Sequence, residues 1–366
     1  MNICILGDNL SSLSLAKTLI NKKISVHLIA EKKIDPISPT RTIGISKSNI
    51  EFINKEIIKI GSKNLWNINQ IEIFTETLEN QKILNFKKNN KELFSIIRNH
   101  KLYDLLNLEL SKNNLFKRKN INKNYYKKNL DKNLQYDLII NCDDKNFISK
   151  KFFFKKINKI YNNLAYTTII KHKSINNNYS ATQIFTKNGP IAFLPISNTQ
   201  TSIVYSVHSK KNKFDIKTII HLIKKYNPKY FINKFEAVNS FELKSTNLRN
   251  YYYKNYIAFG DLLHKIHPLA GQGFNMTIRD IRVISKIIQN RIDLGLPLDE
   301  SIGSEFEKET KHKNFIFTSG VDFIYELFNL ERKDKTKSLS KMIKFFGNKK
   351  YINKVITDYA DKGMIL

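Results

Sequence analysis

The sequence predicts an α/β fold with three parts: a parallel sheet, a smaller antiparallel sheet inserted into it, and a helical C-terminal segment. Three observations carry this. Residues 2–6, 9–20 and 24–29 read as strand, helix and strand, and two strands joined by a helical crossover lie parallel in one sheet. Between Tyr166 and Val207, four short β-rich runs are separated by Asn, Ser and Gly turns, the texture of antiparallel strands. From Gly273 to Ile292, and again from Asp299 to Leu330, apolar residues recur at helical spacing.

The first strand is Ile3-Cys4-Ile5-Leu6, followed at once by Gly7. The helix presents Leu10, Leu13, Leu15, Ala16 and Leu19, and the second strand is Ile24–Ile29. Tyr136–Cys142 and Tyr256–Phe259 are apolar runs that suit further parallel strands, so distant segments assemble this sheet. The antiparallel runs are Tyr166–Ile170, Ala181–Phe185, Ile191–Pro195 and Ser202–Val207; a helix from Asp215 to Tyr226 follows, and Phe235–Leu243 returns as a strand. Residues 112–132, rich in Lys and Asn, predict an exposed hairpin or loop excursion. The expected division is a discontinuous first domain of residues 1–160 and 245–295, an antiparallel-sheet domain of 161–244, and a helical segment of 296–366.

At 366 residues and 41% hydrophobic, the chain can bury a sizeable core, and a globular enzyme is the default class. Its apolar stretches fall well short of the roughly 20 residues that cross a bilayer. Residue 1 leads straight into a strand with no secretory pattern, so a cytoplasmic location is expected. Cys4 and Cys142 each sit in a buried-strand run, without metal-ligand spacing or a disulfide framework. The formal charge of +30 is spread along the chain among abundant Asn and Ile rather than gathered into a stripe, which argues against nucleic acid as a partner. Attraction to an anionic membrane surface, worth about 1 kcal/mol for each nearby lysine, stays open.

The strongest local signal runs from Gly260 to Met276, after one strand and before a helix. Asp261 at a strand end suits hydrogen bonds to sugar-type hydroxyls. Gly271 and Gly273 let main chain approach a flat ring, and the helix N-terminus aims amides at an anionic or electron-accepting edge. Read singly, His264 and His267 are ordinary capping or surface histidines. With Asp261 they lack the further clustered ligand that a metal site needs.

The segment Gly260-Asp261-Leu262-Leu263-His264, then Pro268, then Gly271-Gln272-Gly273-Phe274-Asn275, then Asp280, resembles the second FAD fingerprint of the aromatic hydroxylase flavoproteins. His267 to Asn275 is similar to the ubiquinone-biosynthesis branch in particular. The N-terminal unit departs from the dinucleotide fingerprint: of Gly-x-Gly-x-x-Gly only Gly7 survives, with Asn9 and Ser12 in place of the other two glycines. Glu31 stands one place beyond the usual ribose-binding acid. Arg41 corresponds to an arginine near the flavin, and Asp143 to the carboxylate of an Ala-Asp-Gly motif that touches FAD and the reductant. His100 replaces an FAD-contacting arginine. Gln183, Phe185 and Gly189–Pro195 resemble substrate-domain strands facing the ring.

The resemblance implies a Rossmann-like FAD-binding first domain and an FAD-dependent monooxygenase. The implied reaction hydroxylates the ring of a polyprenylated phenol with dioxygen through a flavin C4a-hydroperoxide. Its electron donor is NAD(P)H or another reductase system. Gly7, Asn9, Ser12, Glu31, Arg41, Asp143, Gly260, Asp261, Pro268, Gly271, Gln272, Gly273 and Asn275 would bind the cofactor, and His267 and Pro268 would line the reacting pocket. A place at the inner face of the membrane, beside other ubiquinone-pathway enzymes, follows. An FAD-dependent isoprenoid-lipid reductase and a flavin-depleted basic binding protein are the other classes considered. In the tail, Leu339, Met342, Ile343 and Phe346 share a helical face among lysines. That face suits packing or a membrane surface.

Overall fold

The computed structural model describes residues 1–31, 37–79, 81–87, 92–122, 125, 136–208, 214–267, 271–334, 338–347 and 350–363. The first sheet has the order β16 (Tyr252–Tyr253), β17 (Tyr256–Ala258), β9 (Leu138–Asn141), β1 (Asn2–Leu6), β2 (Ser25–Glu31) and β8 (Phe116–Ile121). From β17 to β8 every neighbouring pair is parallel. The continuous apolar runs of β1, β9 and β17 are explained by this position, since a central parallel strand is covered on both faces. Helix α1 (Leu10–Asn21) makes the first crossover and buries Leu13, Leu15, Ala16 and Leu19.

Residues 112–132 are not simply a loop excursion. Their Phe116–Ile121 portion is β8, the edge of the parallel sheet, in register with β2 through Leu28 and Arg118. An edge strand keeps one side in solvent and tolerates Lys117, Arg118 and Lys119, which blunt it against pairing with other chains.

A nine-stranded sheet packs beside the first, in the order β18 (His264–Lys265), β15 (Asn239–Leu248), β10 (Lys156–His172), β13 (Gln200–His208), β12 (Gly189–Pro195), β11 (Ser180–Thr186), β5 (Gln70–Thr75) and β6 (Gln81–Lys87), with β14 (Ile232–Phe235) also on β10. It reaches beyond the expected residues 161–244. β5 and β6 come from residues 70–87, and β5 joins β11 in parallel, a long-range pairing that no local turn announces. Helix α5 (Ile216–Lys225), capped by the Asp215 side chain accepting from Thr218 N–H, lays Ile219 and Ile223 on this sheet. A third sheet, β3 (Thr42–Ser46), β7 (Phe94–Arg98) and β4 (Trp66–Ile68), is antiparallel. Three short helices, α2 (Lys47–Phe52), α3 (Asn99–Ser111) and α4 (Phe147–Phe152), link these strands.

Helix α6 (Gly273–Asp293) returns along the parallel sheet, and α7 (Glu300–Asp334) spans both sheets. Phe306 of α7 packs on Phe259, whereas Phe317 and Val321 pack with Phe185 of β11. Helix α8 (Ser338–Gly347) lies against β6, with Lys344 Nζ donating to Gln81 Oε1 at 2.9 Å. The tail therefore packs on the fold here; the side chains of Leu339, Met342 and Phe346 lie outside the described residues. In α9 (Lys350–Lys362), the Asp361 Oδ1 accepts from Ser48 N–H at 2.9 Å, and its carbonyl accepts from the Ser46 and Ser48 hydroxyls at 3.0 Å. No described helix is long and apolar enough to cross a membrane.

Candidate cofactor and active site

Open α/β sheets bind ligands at the carboxyl ends of their strands. Gly7, Asp143 and Gly260-Asp261 follow β1, β9 and β17, three neighbours in the sheet. Gly7 has φ +104°, and a Cβ there would lie 3.1 Å from Asp143 Cβ, so the two turns touch. Gly260 has φ +57°, and a Cβ would meet Ser11 Cβ at 2.6 Å. The absence of a side chain thus lets the Asp261 turn rest on α1, with the Asp261 carboxylate exposed. Burial, then the nearby Asp261 and Asp143 carboxylates, push the Cys142 thiol well up.

Behind this edge the loop before α6 crosses β3. Gly271 has φ +62°, and a Cβ there would lie only 3.7 Å from Gly44 N. No side chain separates the two backbones. Asn275 fastens them: its Nδ2 donates to Gly44 O at 2.9 Å, while its Oδ1 accepts from Ser46 N–H at 2.9 Å and Asn49 Nδ2 at 3.0 Å. Asn275, expected on the cofactor, is therefore engaged with protein. Gln272 caps α6, is 9% exposed, and its Oε1 has no hydrogen-bond partner among the described residues. Gly273 opens the helix, and Pro268 lies outside the described residues.

His264 and Asp280 were separate elements of the motif, and the fold joins them. Nε2 of His264 is 2.6 Å from Asp280 Oδ2, and Asp280 Oδ1 accepts from Asn314 Nδ2 at 3.0 Å. Asn314, on α7, went unseen in the sequence, where a lone Asn on a helix carries no signal. His267 is fully buried, edge-on to Tyr161 at 5.0 Å and stacked on Tyr325 at 4.5 Å. Burial, reinforced by Lys159, lowers its pKa to about 3. The imidazole is therefore neutral near neutrality, and its two aromatic neighbours hold it in place.

The N-terminal residues meet differently. Asn9 and Ser12 form a reciprocal cap: Ser12 N–H donates to Asn9 Oδ1 at 3.0 Å and Asn9 N–H to Ser12 Oγ at 2.8 Å. Glu31 ends β2 opposite Ile121, half-exposed. Arg41 is exposed, its guanidinium 5.1 Å from the Phe241 ring centroid. His100 opens α3, its Nδ1 without a partner among the described residues. Burial and the Arg98 and Lys101 charges lower its pKa, so it supplies little of the positive charge of the arginine it replaces.

The fit to a flavin dinucleotide is consequently uneven. The bare Gly44–Gly271 approach, the unpartnered Gln272 oxygen and the exposed Asp261 suit the ring and ribityl chain. At the α1 N-terminus, a protein side chain already takes an amide.

The squalene epoxidase family model matches residues 137–356, well over half of the chain. The chain belongs to the squalene epoxidase family. The family match begins just before β9 and leaves out β1, α1 and β2, the unit whose glycine pattern is altered. The chain is 25% identical over 248 residues to a mitochondrial ubiquinone biosynthesis monooxygenase COQ6 of Dictyostelium discoideum, covering 54% of this chain and 50% of that protein. It is 27% identical over 156 residues to the 3-demethoxyubiquinol 3-hydroxylase of Escherichia coli K12, covering 41% and 40%. The chain thus spans about half the length of the curated relatives it matches. The p-nitrophenol 4-monooxygenase of Pseudomonas putida DLL-E4 superposes with a TM-score of 0.76 at 11% identity, covering 99% of this chain and 98% of that one. Klebsiella pneumoniae HpxO, solved with FAD and uric acid, gives 0.72 at 11%, covering 98% and 96%. Both show that this member of the squalene epoxidase family has the FAD monooxygenase fold.

Proposed function

We propose that the chain is an FAD-dependent monooxygenase that hydroxylates the aromatic ring of a polyprenylated phenol with dioxygen, using electrons from NAD(P)H or a reductase. The observation that carries this reading is the approach of Gly271 to Gly44 with no side chain between them, at the start of α6. The turn bearing the exposed Asp261 lies against the same helix. Asp261 would accept hydrogen bonds from the ribityl hydroxyls, and Gly271, Gln272 and Gly273 would seat the ring. Bound FAD would supply the oxygen chemistry. The protein's part is to orient the phenol and exclude water, and the apolar cluster of Phe185, Met276, Phe317 and Ile266 beside the loop supports this. The division into an FAD-binding domain and an antiparallel substrate domain belongs to the same reading.

A membrane-facing position fits such a substrate, because each CH₂ moved into water costs about 0.8 kcal/mol. Exposed Phe315, Ile316, Phe323, Ile324 and Leu330 of α7 support contact with a lipid surface, as does the overall charge of +30. Other pathway enzymes are natural neighbours there.

The test incubates the purified, FAD-reconstituted protein with a prenylated phenol, reductant and ¹⁸O-labelled dioxygen. A ring-hydroxylated product carrying one labelled oxygen is expected. An epoxide on the prenyl chain would move the assignment to the reaction named by the family, an unlabelled saturated tail would make the chain a reductase, and failure to take up FAD would overturn the reading.

A further inference from the structure

The α1 N-terminus carries an occupant of its own. Asn9 caps the helix through Oδ1, and its Nδ2 donates to Cys142 O at 3.0 Å. The side chain therefore spans the gap between the ends of β1 and β9. The Ser12 hydroxyl in turn donates to Asn9 O at 2.8 Å, closing the cap. In a sheet of this type, a dinucleotide's pyrophosphate approaches the first helix N-terminus through bare glycine main chain. Here the corresponding amide of Ser12 already has an acceptor.

The charges beside the seat repeat the pattern. Asp8 precedes the cap, its carboxylate accepting from Tyr103 O–H at 2.8 and 2.9 Å and lying 3.5 Å from Arg118 Nη2. Asp8, one residue before the cap, adds a negative charge near the helix N-terminus, where the dipole favours an anion. Arg118, the nearby cation, is turned to Asp8, and His100 adds little charge.

Resting on the FAD reading, we propose that Asn9 is an internal stand-in for the pyrophosphate, and that flavin occupancy is set by displacement of its amide from the α1 N-terminus. The affinity for the phosphate-bearing half of the cofactor is then lowered by a removable side chain, while the ring and ribityl contacts stay intact.

Asn9→Gly is a clean test because glycine is itself tolerated at a helix N-cap with little loss of stability. FAD and riboflavin are titrated separately into flavin-free wild type, Asn9→Gly and Asn9→Asp by fluorescence quenching, with the thermal midpoint of each protein as a folding control. Asn9→Gly should bind FAD about twofold more tightly than wild type, the factor that separates asparagine from glycine at a helix N-cap. Riboflavin, which has no phosphate, should bind both equally. Asn9→Asp keeps the cap, adds a charge, and should bind FAD more weakly than wild type. FAD binding by wild type with equal or lower affinity in folded Asn9→Gly overturns the stand-in and leaves the flavin reading in place. Equal tightening for riboflavin and FAD also overturns it. No binding of either flavin by any variant overturns both.

Discussion

Nε2 of His264 lies 2.6 Å from Oδ2 of Asp280, with both side chains almost wholly buried. With Asn314 on the other carboxylate oxygen, this pair fastens β18, α6 and α7 at one point. Removing one member of a buried pair strands the others without water or partner. Asp280→Ala should therefore lower the unfolding free energy by about 3–5 kcal/mol, whereas Asp280→Asn, which keeps the shape, should lose less. Urea unfolding of the two variants measures this, and a loss below 1 kcal/mol for Asp280→Ala would contradict the structural role.

His267 predicts an acid sensitivity. Burial lowers its folded-state pKa to about 3, against 6.5 for the exposed residue. Between those values the unfolded chain binds a proton that the folded chain refuses, so its stabilising contribution is complete above 6.5 and is lost as pH falls towards 3. The largest slope is roughly 1.4 kcal/mol per pH unit. From pH 7 to pH 5, wild type should lose roughly 2 kcal/mol more than His267→Phe. Parallel pH profiles for the two proteins would refute it.

The Asp261 carboxylate can be removed without touching the core, since it is exposed. Hydrogen bonds from the flavin hydroxyls to a charged carboxylate are worth about 1.5–3 kcal/mol. Asp261→Ala should thus release FAD on gel filtration while melting at nearly the wild-type temperature. Full yellow colour in the variant would argue against its place in the cofactor site.

At Gly260, two penalties can be separated. A Cβ would meet Ser11 Cβ at 2.6 Å, and φ +57° is unfavourable for a side chain. Gly260→Ala alone should destabilise by roughly 2–3 kcal/mol. Adding Ser11→Gly should recover the steric part and leave about 1 kcal/mol for the backbone. Strict additivity in that double-mutant cycle would mean that the contact is not what constrains Gly260.

The parallel core was legible because Ile3–Leu6, Leu138–Ile140 and Tyr256–Ala258 are apolar on consecutive residues, a pattern that only strands covered on both faces require. β8 was not, because Lys117, Arg118 and Lys119 read as solvated chain and only the pairing with β2 makes them a strand. β5 likewise depends on Ser180–Phe185, a partner remote in sequence. In the candidate site, Gly260, Asp261 and Gly271 were singled out by the resemblance of residues 260–280 to a flavoprotein fingerprint. What the sequence could not give was direction: Asn9 and Asn275 donate to acceptors far along the chain, at Cys142 and Gly44.

The Asp361 contacts to Ser46 and Ser48 have a consequence for synthesis. Ser48 and its partner are 313 residues apart. At the ribosome's pace of about 5–20 residues per second, the first turn of α2 leaves the exit tunnel roughly 15–60 s before the carboxylate that completes it exists. Throughout that interval, β3 and α2 are held only by what has already emerged. The junction beside Gly44 is therefore completed only when the last described helix has emerged.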